Sequence, residues 1–134
     1  MNKLLSSRNL ICTFLLISIF SFTRCAGSIE SKLQAIAAET NKDCPKTLDQ
    51  WTRLDKCVAV GSSNFEYHLT ILQVVISDTT TFKTQLKPQL LEVLKTNPDL
   101  KIFRDNDITV KYIYNDQNGK YIFSTIITPQ EYKQ

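Results

Sequence analysis

From Ser28 onward the apolar positions change period several times, and each change marks an element. Ile29, Leu33, Ile36 and Thr40 recur at helical spacing while Glu30, Lys32 and Gln34 face away, so a helix capped by Ser28 is expected over 28–40. Pro45 biases Cys44 toward extended dihedrals and stops it. From Thr47 to Val60 the pattern is strand-like, carried by Trp51, Leu54, Val58 and Val60, and residues 61–64 (Gly-Ser-Ser-Asn) form a turn signal. A second run from Phe65 to Ile76 is rich in β-branched and aromatic residues, so the two runs are expected to pair as a long antiparallel hairpin. In this second run Phe65, Tyr67, Leu69 and Ile71 share one face, but Leu72, Val74 and Ile76 belong to the other. That switch points to a bulge near 71–73 or to a strand end covered on both sides.

Asp78 to Thr81 offer helix caps, and Phe82, Leu86, Leu90 and Leu94 recur every fourth residue, which predicts a helix over 80–95. Pro88 inside it predicts a kink or a restart, and Asn97-Pro98 ends it. Ile108, Val110, Tyr112 and Tyr114 then alternate with Thr109, Lys111 and Ile113, and Asn118-Gly119 leads into a last strand, Tyr121 to Thr128. The order α-β-β-α-β-β predicts an α+β two-layer sandwich, a four-stranded antiparallel sheet with helices packed on one face. Residues 28–134 are read as one such domain.

The first 27 residues follow another logic. Lys3 and Arg8 precede an apolar run from Leu10 to Phe22, which gives way to Arg24-Cys25-Ala26-Gly27, the layout of a secretory signal peptide. A membrane span needs about twenty apolar residues, and this shorter run is interrupted by Thr13, Ser18 and Ser21. Cleavage is expected after Gly27, giving an exported protein, periplasmic or secreted, with no membrane span left. Cys25 directly follows the apolar core, as in a lipoprotein, but Arg24 stands where a small residue normally precedes a lipidated cysteine. A lipid-anchored form is therefore the lesser expectation.

Removing the leader changes the charge. The chain has sixteen Lys and Arg against thirteen Asp and Glu, but Lys3, Arg8 and Arg24 lie in the leader with no acidic residue, so thirteen remain against thirteen. A near-neutral domain gives no electrostatic basis for nucleic-acid binding. Cys44 and Cys57 are then the two remaining cysteines, in a compartment that permits disulfides, and they are expected to be joined. The loop closed is about fourteen residues, for a stabilisation of roughly 3 kcal/mol in the chain-entropy account.

No motif names a reaction. His68 is the sole histidine and has no nucleophile motif around it. Asp49, Asp55 and Glu66 flank the first hairpin and read mainly as solubility charges, with a carboxylate pair as the lesser alternative, and Asp99, Asp105, Asp107 and Asp116 do not match a calcium loop. Neither a metal nor a cofactor is expected, and an enzyme is the minority class. Tyr112, Tyr114, Tyr121 and Phe123 lie on facing strands and read either as cross-strand stabilisers or as a binding face. Trp51, inside the Cys44–Cys57 loop, reads equally as packing on the bridge or as an anchor for a partner.

The run Asn97-Pro98-Asp99-Leu100, then Asp107 to Tyr114 and Asp116 to Gly119, resembles the carboxy-terminal half of small exported bacterial proteins that include the type II secretion pilotins. The order of elements over residues 28–134 is also similar. The resemblance implies a protein that holds a helical tail of the outer-membrane secretin in a groove beside the sheet. The chain departs from that pattern at Arg24 and in lacking a cysteine near Thr96 with a mate near the C-terminus. The leading expectation is a non-enzymatic, protein-binding accessory protein of the cell envelope. The alternatives are an inhibitor or immunity-like protein acting on a secreted enzyme, and a small hydrolase with an unrecognised site.

Overall fold

The computed structural model describes residues 27–73 and 76–134. The expected leader, including Cys25 and its alternative lipidation, lies outside the described residues, as does Val74. The first helix, α1, spans Ile29–Asn41, with the Ser28 hydroxyl accepting from the Ser31 N–H at 3.2 Å and Leu33 and Ala37 buried beneath it. A two-residue strand β1 (Lys46–Thr47) follows, then β2 (Thr52–Val60) and β3 (Asn64–Ile71), paired antiparallel through a turn that places Gly61 at φ 62°. The helix α2 spans Thr79–Thr96. After a 3-10 turn at Pro98–Leu100 come a short helix α3 (Lys101–Asp105), strands β4 (Thr109–Asn115) and β5 (Tyr121–Ile127), and a last turn of helix, α4 (Pro129–Tyr132).

The sheet has five strands in the order β1-β2-β3-β4-β5 and is mixed, correcting the expected four antiparallel strands. The hairpins β2–β3 and β4–β5 form as the patterns predict, but β3 and β4 run parallel, from Asn64 opposite Thr109 to Thr70 opposite Asn115. The cause is α2: a crossover helix carries the chain back along the sheet, so the next strand starts at the end where β3 started. α2 is continuous through the exposed Pro88 rather than restarting there. β3 stops at Ile71, and Gln73 takes a left-handed conformation (φ 59°) where the face switch was expected.

One face of the sheet is covered. Leu54, Cys57, Phe65, Leu69, Val110, Tyr112, Tyr114, Phe123 and Ile127 are buried on it. Leu54 and Cys57 share this face despite being three residues apart, because a bulge at Asp55 shifts the register between Leu54 and Lys56. Phe65, Phe103, Ile108 and Val110 are fully buried at the centre, and the Tyr132 hydroxyl closes the core by donating to the carbonyls of Phe103 (3.1 Å) and Ile108 (2.9 Å). Arg104 Nη1 donates to the carbonyls of Leu94 (2.7 Å) and Asn97 (2.8 Å), satisfying the end of α2.

Cys44 and Cys57 are free thiols here rather than the expected bridge. The end of α1 is tied to β2 by another device: the Asn41 side-chain amide donates to the Cys57 carbonyl (2.8 Å) and its oxygen accepts from the Cys57 N–H (2.6 Å). Two hydrogen bonds to one backbone unit fix the helix end without a covalent link.

Candidate partner-binding groove

The apolar stripe of α2 does not fill the core along its whole length. Leu94 is fully buried, whereas Phe82, Leu86 and Leu90 pack against the margin of the core, Phe82 edge-on to Phe123 at 5.5 Å, and turn their remaining surface to an open groove. The groove consists of two adjoining hollows of about 370 and 340 Å³ that share Asp49, Thr52, Leu86 and Tyr114. One wall is α2, the other is the segment between β1 and β2, and the floor is the covered face of the sheet.

The floor is aromatic. Tyr67 and Tyr112 stack with ring centroids 5.1 Å apart, and Tyr114 stacks on Phe123 at 4.7 Å across the β4–β5 pair. The Tyr67, Tyr112 and Tyr114 rings line the groove, and burial pushes all three hydroxyls well above the usual phenol range. None of these hydroxyls bonds to a protein group among the described residues, yet no buried side-chain oxygen is left unpartnered. They therefore open onto the groove as polar handles on an apolar surface.

The rim carries the unusual feature. Of the large apolar side chains exposed among the described residues, Leu48 (52%), Trp51 (47%) and Val93 (46%) all line the groove. Single exposed apolar residues are ordinary, but here Leu48 and Val93 border one hollow and Trp51 borders the adjoining one. Among the described residues the groove's one charged lining residue is Asp49. Its Oδ1 accepts from the Trp51 N–H at 2.7 Å, which holds the Trp51 backbone in a tight turn at the rim.

The residues expected to bind a partner thus separate. Trp51 sits on the rim, and Tyr112 and Tyr114 lie on the floor, where their rings stack across strands and line the hollow. Tyr121 is exposed away from the groove, with its hydroxyl 3.3 Å from the Ser124 Oγ. Leu48 and Val93 escaped the sequence reading, which shows Leu86 and Leu90 only as part of a helical stripe. Val93 lies three residues after Leu90 and widens the helical stripe, a signal present in the sequence.

On the opposite, solvent-facing side of the sheet, His68 Nε2 lies 3.2 Å from Glu66, whose other oxygen is 3.6 Å from Lys111 Nζ. Asp55 accepts from Arg53 (2.6 Å) and from the Thr70 hydroxyl (2.5 Å). Each acid has its own partners, and the two do not form a carboxylate pair. Among the described residues no hydroxyl or thiol hydrogen-bonds to His68, and no group of three His, Cys, Asp or Glu side chains is placed to hold a metal ion.

A family model described as a domain of unknown function, DUF8479, matches residues 28–123, from α1 into β5 and across every wall of the groove. The chain belongs to DUF8479. No curated protein matches this DUF8479 chain. Among solved structures it is similar to a Pseudomonas aeruginosa protein described as secreted, at TM-score 0.63 and 11% identity over 77% of this chain and 91% of that one. The pilotin EpsS of the Vibrio vulnificus type 2 secretion system aligns at TM-score 0.63 and 10% identity over 78% of this chain and 91% of that one. The type II secretion pilotin AspS of Vibrio cholerae aligns at TM-score 0.59 and 14% identity, covering 77% and 91%. At such identities the shared property is the fold, a pilotin-like α+β sandwich. No helix among the described residues is long and apolar enough to cross a membrane.

Proposed function

We propose that this chain is an exported, non-enzymatic accessory protein of the cell envelope that holds an amphipathic helix of a protein partner in the groove between α2 and the β1–β2 segment. The observation that carries this reading is the exposure of Leu48, Trp51 and Val93 along two adjoining hollows with an aromatic floor. A helix lays its i, i+3 or i+4, and i+7 side chains into such a hollow, and the rim aromatic supplies the anchor. Asp49 at the mouth selects a partner with Lys or Arg beside its apolar stripe. The pilotin-like fold is consistent with this role, and the leader pattern at residues 1–27 supplies the address.

Trp51 is the chain's one tryptophan, so its fluorescence reports on the groove alone. A synthetic peptide with leucines at helical spacing flanked by lysines should give a saturable blue shift. The absence of a shift, or an equal one from a scrambled peptide of the same composition, contradicts the proposal.

In an oxidising compartment Cys44 and Cys57 would join, giving up two protons and two electrons to a disulfide donor. Burial first, and then Cys44 nearby, pushes the Cys57 thiol up to about 12. The reduced, folded protein should therefore alkylate slowly at Cys57 near neutral pH, since the thiolate is the reactive form. Protein recovered from the envelope and unfolded in denaturant should take up no alkylating agent before reduction and two equivalents after it. Two free thiols in the recovered protein would refute the bridge.

A further inference from the structure

Among the described residues the sheet ends at β5, and the outer edge of that strand is unpaired. Natural edges are usually blunted by shortness, charge or proline. The opposite edge obeys this rule: β1 has two residues and one of them is Lys46. β5 does not. It runs for seven residues, Tyr-Ile-Phe-Ser-Thr-Ile-Ile, without a charge, proline or glycine, and Tyr121 and Ile126 are 58% and 45% exposed. Every second residue of an edge strand turns its N–H and C=O outward, and among the described residues no backbone group outside the β4 pairing meets those of residues 122–127.

A cleft of about 840 Å³ runs beside this edge, with Ser124, Thr125 and Ile126 on one wall and Lys83, Lys87 and Pro88 of α2 on the other. It lies on the flank of α2 opposite the stripe Phe82, Leu86 and Leu90 that faces the groove. Lys83, Lys87 and Glu131 line it, so two cations stand against one anion and Lys83 carries the excess positive charge. Lys87 pairs with Glu131 at 2.6 Å, and Glu131 is further engaged by the Thr128 N–H at 2.8 Å, whereas Lys83 makes no ion pair among the described residues.

We propose that β5 is a second docking edge, for an extended segment of a protein partner that adds as a sixth strand and directs an acidic side chain toward Lys83. Strand geometry sets the pattern: alternate side chains of the added strand enter the cationic cleft, and the others lie over the sheet's solvent-facing side beside apolar residues. An acidic–apolar alternation is the sequence that fits. A second copy of the chain fits less well, because pairing β5 with itself about a two-fold axis brings the two cationic flanks of α2 together.

The test uses isotope-labelled protein produced from the full chain and three synthetic decapeptides: alternating Glu-Val, alternating Lys-Val, and Glu-Val N-methylated at every second residue. The Glu-Val peptide should shift the amides of residues 121–127, slow their hydrogen exchange, and bind at least about tenfold more tightly than the other two. Lys83→Glu should remove that preference while leaving the Trp51 response to the helical peptide unchanged, which separates this edge from the groove. No binding, equal affinity for the three peptides, or shifts confined to the groove would overturn the proposal. So would a concentration-dependent dimer that protects the β5 amides without peptide, since that assigns the edge to a second copy.

Discussion

Val93→Lys abolishes the Trp51 response to the helical peptide and leaves the fold intact. Val93 is 46% exposed, so a lysine there is solvated before binding, and a cation suits the last turn of α2. Surface substitutions of this kind stay within about 0.5 kcal/mol of the parent stability. Once a helix covers the rim, the same ammonium group is buried against apolar side chains and close to the partner's own basic residues. Leaving a charge unpaired in such an interface costs several kcal/mol, so affinity should fall by about a hundredfold or more. Trp51→Ala is expected to weaken binding by about 2 kcal/mol or more as an anchor loss, read by calorimetry because the fluorophore is gone. An unchanged affinity in Val93→Lys would place the partner elsewhere on the molecule.

Phe65→Ala produces the largest loss of stability. Phe65 is fully buried in the central strand β3, paired with Ala59 of β2 on one side and Val110 of β4 on the other. Its ring lies 4.9 Å from that of Phe103 and 5.2 Å from that of Tyr67, so it joins α3, the sheet and the groove floor in one contact set. Truncation removes its transfer free energy and leaves a cavity that three strands cannot collapse, a cost of about 3–5 kcal/mol. Against a domain stability of about 5–15 kcal/mol this is a large fraction. The urea midpoint should fall accordingly with little change in slope. A loss below about 1.5 kcal/mol would mean that the core is organised around another residue.

Much of this fold can be read from local patterns, and the parts that cannot have definite physical causes. The β4–β5 hairpin follows from strict alternation up to Tyr114 and from a turn in which Gly119 takes φ 81° and Asp116 Oδ1 accepts from the Asn118 and Lys120 N–H groups, both at 2.9 Å. The parallel pairing of β3 with β4 is not local. Strand direction is decided by where α2 delivers the chain, and nothing inside either strand records it. The bulge at Asp55 is hidden for a related reason, since Leu54 and Cys57 look out of phase until the extra residue is inserted. The two residues of β1 are too few to show a period. α4 was legible and missed: Thr128 and Glu131 stand at the spacing of a capping box, and the Thr128 N–H donates to Glu131 Oε2 at 2.8 Å.

The groove was half legible. Trp51 stood out as a lone aromatic in a loop, and Tyr112 and Tyr114 as aromatics on one strand face. That α2 stands off the sheet beside them is a tertiary fact. The stripe Phe82, Leu86, Leu90 and Leu94 has the same period whether it fills a core or borders a hollow, and only the burial of Leu94 against the partial exposure of the other three distinguishes these cases.

Site-specific photo-crosslinking in the native cell tests the central claim most directly. A photoreactive phenylalanine analogue placed at position 51 or 93 should yield one discrete adduct with a single envelope protein, mapped to an amphipathic helical segment, while the same probe at position 111 on the solvent-facing side of the sheet should not. Equal adducts from all three positions, or none from 51 and 93, would contradict a partner held in the groove.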